Sequence, residues 1–269
     1  MERIGLLAGA GRLPVECARA ARNLGYEVYA VALLKETDKE LKEVATQYEE
    51  ISIGKFGKIF DYIKKNEIKK VTMLGKVTKE LLFSGMVIPD FKAIGMLAKL
   101  HNKSDDTIMK ALVDELAKVG AEVLDQTMLI RPLMPKEGKI AKREPTDEEK
   151  KDIEFGLKMA KELGRIDVGQ TVVVKDCATM ALEAIEGTDE CIKRGGKLAR
   201  GGAVVVKTAK PNQDNRFDVP AVGVKTIESM ILADATVLAI EAERTLLVER
   251  DEVIKLADKH KIAVVAVSM

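Results

Sequence analysis

The sequence predicts an α/β protein built from two α/β domains, an N-terminal Rossmann-like open parallel sheet and a second α/β domain, with a cleft between them. Apolar segments of strand length alternate with segments of helical periodicity, which is the pattern of β-α-β units. A stretch rich in proline and charge interrupts this alternation, and 269 residues that are 46% hydrophobic are enough for two cores. We therefore expect an N-terminal domain over residues 1–131, a linker over 132–145 and a C-terminal domain over 146–269.

The N-terminal region begins with a predicted strand and helix. The apolar residues 4–8 lead into a glycine, and residues 14–24 follow a helical pattern with Pro14 in the first turn. Residues 28–34 are nearly all apolar, which is typical of a strand buried on both faces of a parallel sheet. The other predicted elements here are strands at 51–53 and 71–74, a helix at 57–65 and helical periodicity over 91–120.

The predicted linker carries Pro132, Pro135, Gly138 and Pro145 among many charges. Thr146 follows it and opens a charged helix with the T-x-x-E pattern of a capping box. The alternating pattern then resumes. It predicts strands at 171–174, 203–206, 237–240 and 262–265, and helices at 176–186, 226–233 and 250–259.

Composition excludes several classes of protein. The 44 basic and 43 acidic residues give a net charge of +1, and tryptophan is absent, so we expect no nucleic-acid partner. No stretch approaches the roughly 20 apolar residues of a membrane span. The chain enters a predicted core strand at once, which argues against a cleaved signal peptide. We expect a cytoplasmic protein.

The cysteines predict neither a zinc site nor a disulfide framework. Cys17, Cys177 and Cys191 are far apart, and the chain has two histidines and no C-x-x-C spacing. Reduced thiols in a cytoplasmic protein are the simplest interpretation.

Two glycine-bearing turns follow strands of the first predicted sheet. Gly9 and Gly11 lie between a strand and a helix, where backbone amides can approach a phosphate, although Pro14 stands where a dinucleotide fingerprint has its third glycine. A tight turn that binds nothing is the alternative. Lys55, in Gly54-Lys55-Phe56-Gly57-Lys58, and Gly75 follow later strands at the expected ligand edge, and a solvated surface lysine is the alternative there.

An acidic turn in the second region is a candidate cation site. Glu183, Glu186, Thr188 and Asp189 surround Gly187 at a predicted helix end. Their carboxylates and hydroxyl suit a hard cation or a bound water. The alternative is a helix stop in which Thr188 or Asp189 caps the next helix.

The segment from Lys207 to Pro220 is the most informative. It follows a buried strand and concentrates Lys207, Lys210 and Arg216 with the carboxylates Asp214 and Asp218. Phosphoryl transfer needs basic groups for phosphate oxygens and carboxylates for Mg²⁺. A plain solvated loop is the alternative.

At these motifs the chain resembles the UDP-2,3-diacylglucosamine pyrophosphatases of the LpxI type, along nearly its whole length. The matching stretches are residues 7–14, 54–60, 164–170, 186–189 and 207–223. Lys76 is a mild departure, since a relative has asparagine there. The resemblance implies hydrolysis of UDP-2,3-diacylglucosamine to 2,3-diacylglucosamine 1-phosphate (lipid X) and UMP, in lipid A synthesis at the cytoplasmic face of the inner membrane.

The resemblance also implies a catalytic C-terminal domain that uses Mg²⁺ or another divalent metal such as Mn²⁺. Asp218 resembles the essential carboxylate, which binds the metal or activates the attacking water. We expect metal ligands, catalytic groups and substrate-binding residues as follows: Asp218, Asp189, Glu186 and Asp214 for the metal; Asp218, Lys207, Lys210 and Arg216 for catalysis; Gly9, Gly11, Lys55, Gly75 and Thr188 for substrate.

The substrate is a lipid, so transient contact with the inner-membrane surface is expected, and a homodimer is left open. Residues 81–86 and 91–100 are candidates for an acyl-chain groove, with ordinary core packing as the alternative. Two other functions fit the same fold. One is an NAD(P)-dependent oxidoreductase, and the other is a nucleotide-binding protein without catalysis.

Overall fold

A computed structural model of the chain describes residues 1–77, 87–101 and 105–269. Its contacts separate two compact units, Met1–Ile130 with Asn215–Phe217, and Arg131–Asp214 with Asp218–Met269. Each unit has a sheet flanked by helices, so the predicted α/β class with two α/β units is confirmed.

The first unit contains a five-stranded sheet in which every pair of neighbouring strands is parallel. The strand order is β3-β2-β1-β4-β5, as expected for a Rossmann-like sheet. Its strands are β1 Arg3–Ala8, β2 Glu27–Ala32, β3 Gln47–Glu50, β4 Lys70–Leu74 and β5 Glu122–Val123. Gly9 and Gly75 therefore follow neighbouring strands at the carboxyl edge, beside the point where strand order reverses.

Helix α3, Phe56–Lys65, buries an apolar face in the core of the first unit. In α3, Phe56, Ile59, Phe60 and Ile63 recur at helical spacing and are all nearly inaccessible to solvent. The helices in the described residues are α1 Leu13–Asn23, α2 Leu41–Val44, α3 Phe56–Lys65, α4 Phe91–Leu97, α5 Asp105–Lys118 and α6 Thr127–Ile130. Pro14 lies in the first turn of α1, as predicted.

The second unit contains a six-stranded mixed sheet of order β6-β13-β11-β9-β7-β8. Strands β9, β11 and β13 are parallel, while β6, β7 and β8 run antiparallel to their neighbours. The strands are β6 Gly138–Lys139, β7 Thr171–Lys175, β8 Ala178–Leu182, β9 Ala203–Lys207, β11 Ala235–Glu241 and β13 Ala263–Val267. A separate pair joins β10 Ala221–Val222 to β12 Leu246–Leu247.

Both faces of this sheet are buried. Helix α7, Asp147–Arg165, packs against one face through Ile153 and Leu157, and the other face carries a second core that includes Ile192 and Ile227. After a 3-10 turn at Arg131–Leu133, the helices are α7 Asp147–Arg165, α8 Thr188–Ala199, α9 Val224–Leu232 and α10 Arg250–Lys259. Thr146 and Glu149 form the predicted capping box of α7. Strand β6 lies inside the segment predicted to be a linker, and Ala141 of that segment is buried in the core.

Two predicted elements are wrong. The segment 176–186 contains strand β8, Ala178–Leu182, rather than a helix, because Asp176 and Cys177 both have positive φ and close a two-residue hairpin turn with β7. The buried Asp152 accepts hydrogen bonds from both of these backbone amides. The third strand is Gln47–Glu50 rather than residues 51–53, since an edge strand with polar side chains carries no apolar signal.

The two segments proposed for an acyl groove differ in what the structure describes. Residues 81–86 lie outside the described residues. Residues 91–97 form α4, in which Ala93 and Met96 are buried while Phe91 is 94% exposed. No helix among residues 1–77, 87–101 and 105–269 is long and apolar enough to cross a membrane.

Candidate functional site

The chemistry-bearing residues of the second unit gather at one edge of its sheet. Lys207 ends β9 and Glu241 ends the neighbouring parallel strand β11. Strand β7 runs antiparallel to β9, so its first residue, Thr171, lies opposite Lys207. This edge is the carboxyl end of the parallel strands, where open α/β sheets bind ligands.

Lys207 and Thr188, which were predicted separately, contact each other here. The side chain of Lys207 is buried, and its Nζ donates to Thr188 Oγ1 at 2.9 Å and to the Ala221 carbonyl at 2.9 Å. Thr188 Oγ1 donates in turn to Glu183 Oε1 at 2.9 Å. The sequence named Glu183 only as a member of the candidate cation site; in the structure it is buried and accepts the Thr188 hydroxyl, which fixes the direction of that hydroxyl.

Lys210 and Asp218, both predicted to be catalytic, also lie together. Lys210 Nζ is 2.7 Å from Asp167 Oδ1 and 3.6 Å from Asp218 Oδ2. The Asp218 side chain is 44% exposed, so solvent and a substrate can reach it. Sequence reasoning assigned no role to Asp167, although it lies within the 164–170 stretch; only its place beside Lys210 reveals it.

Hydrogen bonds close the segment between these two residues into a compact turn. The Gln213 side chain accepts from the Lys210 backbone amide at 2.6 Å and donates to the Asp218 carbonyl. The Asp218 amide donates to the Asp214 carbonyl at 3.0 Å. The relative placement of Lys210 and Asp218 therefore depends on the backbone of this turn, residues 210–218, which we call the catalytic turn after the role that the sequence predicts for it.

The electrostatics of the pair keep Lys210 charged. Partial burial of Lys210 lowers its pKa, but Asp167 and Asp218 together outweigh that effect, so its pKa is raised. Burial raises the pKa of Asp218, and the nearby Lys210 ammonium only partly opposes this shift. Asp218 therefore takes up a proton at a higher pH than an ordinary aspartate does.

The third predicted basic group of this segment, Arg216, is assigned to the other compact unit. Arg216 belongs with Phe217 to the first compact unit, whereas Lys207, Lys210 and Asp218 belong to the second. Its guanidinium lies 5.9 Å from the centre of the Phe217 ring.

The four predicted metal ligands do not form one cluster in the part of the chain that the structure describes, where no group of three or more acidic, histidine or cysteine side chains is placed to hold a metal. Glu186 pairs with Arg194, which lowers the pKa of its carboxyl group. Asp189 lies in the first turn of α8.

In the first unit, Gly9 and Gly75 pack directly against each other's backbone. A Cβ on Gly9 would lie 2.8 Å from the Lys76 carbonyl oxygen, and one on Gly75 would lie 2.8 Å from the Gly9 carbonyl carbon. Close packing of two strand ends thus explains these glycines without a ligand. Gly11 differs, because it has a φ of +97° and a Cβ there would meet nothing within 4 Å.

Charges near the predicted phosphate turns have partners within the protein. Arg12, beside the glycine turn, pairs with Asp38 and Glu40, which raise its pKa. At the start of α3, where Lys55 is the N-cap, the Gly57 amide donates to Asp90 at 2.8 Å. A carboxylate of the chain therefore already occupies this helix N-terminus.

The chain matches two family models that together span most of its length. The model described as the LpxI N-terminal domain matches residues 3–133, and the LpxI C-terminal domain matches residues 136–265. A curated relative from Caulobacter vibrioides, "UDP-2,3-diacylglucosamine pyrophosphatase LpxI", is 32% identical over 278 aligned residues, which cover 99% of this chain and 98% of the relative.

Other similarities are partial. A bifunctional purine biosynthesis protein PurH from Bradyrhizobium diazoefficiens is 29% identical over 192 residues, covering 69% of this chain and 31% of that protein. Among solved structures, a UDP-glucose-4-epimerase from Stenotrophomonas maltophila with bound NAD is 14% identical, with a TM-score of 0.31. That alignment covers 45% of this chain and 35% of the epimerase chain.

Proposed function

Because this chain belongs to the LpxI family, we propose that it hydrolyses the pyrophosphate bond of UDP-2,3-diacylglucosamine in lipid A synthesis. The products would be UMP and 2,3-diacylglucosamine 1-phosphate. The observation that carries the proposal is the pairing of Lys210 with Asp218 at 3.6 Å on a solvent-accessible turn, beside the carboxyl edge of the second sheet.

The pair supplies the two kinds of group that the reaction needs. The oxygen of water adds to one phosphorus while the bond from that phosphorus to the bridging oxygen breaks, and the bridging oxygen leaves on the other phosphate. Lys210, held as a cation by its carboxylate partners, neutralises charge that develops on the phosphate oxygens. Lys207, fixed by Thr188 and the Ala221 carbonyl, adds a second positive charge at the same sheet edge.

Mg²⁺ fits this arrangement as an ion that arrives with the substrate. Proteins commonly hold Mg²⁺ through one or two carboxylates together with substrate phosphates, so a complete protein cage is not required. Asp218, whose side chain is 44% exposed, is the residue we propose to hold it. When bound, the ion neutralises charge on the diphosphate.

Two roles are open to the Asp218 carboxylate, and a metal titration separates them. If Asp218 holds the metal, Asp218→Asn raises the Mg²⁺ concentration that gives half-maximal rate. If it accepts the proton of water, the same variant lowers kcat at saturating Mg²⁺ and leaves that concentration unchanged.

The direct test is release of UMP from UDP-2,3-diacylglucosamine by the purified protein, with Mg²⁺, with Mn²⁺ and with EDTA. We expect turnover with either metal and loss of turnover with EDTA. An intact substrate under every ionic condition would refute the proposal. Hydrolysis in ¹⁸O-water, followed by mass spectrometry of both products, identifies the phosphorus that is attacked.

The same preparation tests the alternative functions. UDP binding without turnover in the presence of Mg²⁺ would indicate a nucleotide-binding protein without catalysis. A change in NADH fluorescence on mixing would favour an oxidoreductase.

We also propose that the protein meets its substrate at the membrane surface, near α4. Ile88, Phe91 and Ile94 are large apolar residues that are 74%, 94% and 50% exposed. Exposed apolar side chains of this kind suit the boundary between lipid headgroups and acyl chains. Flotation with anionic vesicles tests this, and Phe91→Ser should reduce the bound fraction.

A further inference from the structure

A buried ion pair contacts the residue that precedes the catalytic turn. Lys161 of α7 approaches both carboxylate oxygens of Glu241, at 2.8 and 2.7 Å. The two side chains are only 17% and 7% exposed. A pair this buried is stable only when its remaining hydrogen-bonding capacity is satisfied.

Both members of the pair also hydrogen-bond to one residue, Ala209, which immediately precedes the catalytic turn, and Arg244 lies 3.7 Å from the same carboxylate. Glu241 Oε2 accepts from the Ala209 amide at 2.8 Å, and Lys161 Nζ donates to the Ala209 carbonyl at 3.0 Å. Both polar groups of Ala209 are therefore held by opposite ends of one ion pair. Because Lys210 is the next residue, its direction follows from this anchorage.

Gly164, near the end of α7, and Asp167, just past it, contact Lys210, the first residue of the catalytic turn. Gly164 lies so close that a Cβ there would be 3.2 Å from the Cα of Lys210. Asp167, just past the helix, receives the Lys210 ammonium at 2.7 Å. Lys161 and Gly164, three residues apart, share one face of α7, and this face lies against Ala209 and Lys210.

Stability alone does not account for an ion pair here. Removing two charges from water is costly, and well-packed apolar residues often replace a buried pair without loss of stability. The pair holds the backbone of Ala209, next to Lys210. A displacement of a catalytic group by about 1 Å can cost about 100-fold in rate.

We propose that Lys161 and Glu241 are positioning residues for hydrolysis, which act through Ala209 to hold Lys210 and Asp218 in their reactive arrangement. The inference rests on the proposed function for its kinetic consequence. Both side chains are buried, so we expect them not to contact the substrate, and their loss should lower kcat far more than it changes KM.

The chain offers a matched control at the opposite end of the same helix and strand. Arg143 pairs with Glu149 of α7 at 2.8 Å and donates to the Thr236 carbonyl of β11. This pair is also partly buried, but it lies at the amino end of β11, whereas Glu241 lies at the carboxyl end.

The experiment compares Lys161→Met, Lys161→Arg and Arg143→Met. We expect Lys161→Met to lower kcat by about 10–100-fold, Lys161→Arg to recover most of that loss, and Arg143→Met to keep the wild-type kcat. If the folded Lys161→Met protein keeps wild-type kcat, or if Arg143→Met loses as much, the inference is overturned while the proposed function stands. The Lys161→Met, Glu241→Leu double variant removes both charges and serves if the single variant fails to fold.

Hydrogen exchange tests the inference without any substrate. Amides of residues 209–218 should exchange faster in Lys161→Met than in the wild type, and at an unchanged rate in Arg143→Met. Unchanged exchange in Lys161→Met overturns the inference whatever the protein hydrolyses. Faster exchange combined with an inert wild-type protein would instead reject the proposed function and retain the anchorage.

Discussion

Asp218 and Asp167 both contact the Lys210 ammonium, and replacing each by asparagine separates catalysis from simple charge pairing. Asp167 makes the shorter contact, 2.7 Å against 3.6 Å for Asp218. If stabilising Lys210 were the only task of these carboxylates, Asp167→Asn should therefore be the more harmful change. If Asp218 acts on water or metal, the order is reversed.

The structure sets the expected size of each effect. The Asp167 side chain is 73% exposed, and an exposed ion pair contributes about 0.2–1 kcal/mol, so Asp167→Asn should cost at most about fivefold in kcat. Removing one group that acts on the reacting charge costs about 10²–10³-fold, and we expect Asp218→Asn to fall in that range. Asparagine is nearly isosteric with aspartate, so both variants should fold.

The assay is UMP release at saturating substrate and Mg²⁺, with circular dichroism to confirm folding. Equal losses in the two variants would refute the distinction between them. A folded Asp218→Asn protein that keeps more than about a tenth of wild-type kcat, and reaches half-maximal rate at the same Mg²⁺ concentration as the wild type, would remove Asp218 from the chemistry.

Three further predictions follow from burial and charge. Burial and repulsion from Asp167 raise the pKa of Asp218, and we expect the protonated carboxyl to be inactive. Asp167→Asn removes the repulsion, so the acid limb of the plot of kcat against pH should move to lower pH. A shift to higher pH would contradict this. Asp152→Ala should lower the free energy of unfolding in urea by about 2–4 kcal/mol, because two backbone amides of the β7–β8 turn lose a buried carboxylate; a loss under about 0.5 kcal/mol would contradict it. Cys177 is exposed, whereas burial raises the pKa of both other thiols to about 12, so a thiol reagent at pH 8 should modify one cysteine rapidly; three fast thiols would exclude this.

Helices with one apolar face and clear end signals were predictable from the sequence. The predicted helix at 250–259 coincides with α10, and the capping box of α7 was visible as Thr146 and Glu149. Strand β8 was not predictable in this way. Its hairpin depends on positive φ at Asp176 and Cys177. The backbone amides of these two residues donate to the carboxylate of Asp152, which precedes them by 24 and 25 residues.

The same contrast applies to the site. Composition marked the segment that carries Lys207, Lys210 and Asp218, because a loop dense in opposite charges after a buried strand is rarely ordered without a purpose, and the family resemblance singled out Asp218 within it. Composition did not identify Asp167 or Glu241 as partners of lysines.

Local periodicity and turn chemistry thus determined the α/β class, most elements and the segment that carries the candidate chemistry. Tertiary structure alone decided which charges meet. Lys210 and Asp167 are 43 residues apart and Lys161 and Glu241 are 80 apart, and each pair forms because strand order brings distant chain segments to one sheet edge. The periodicity of apolar side chains indicates which face of an element is buried, but it does not indicate which element packs beside it.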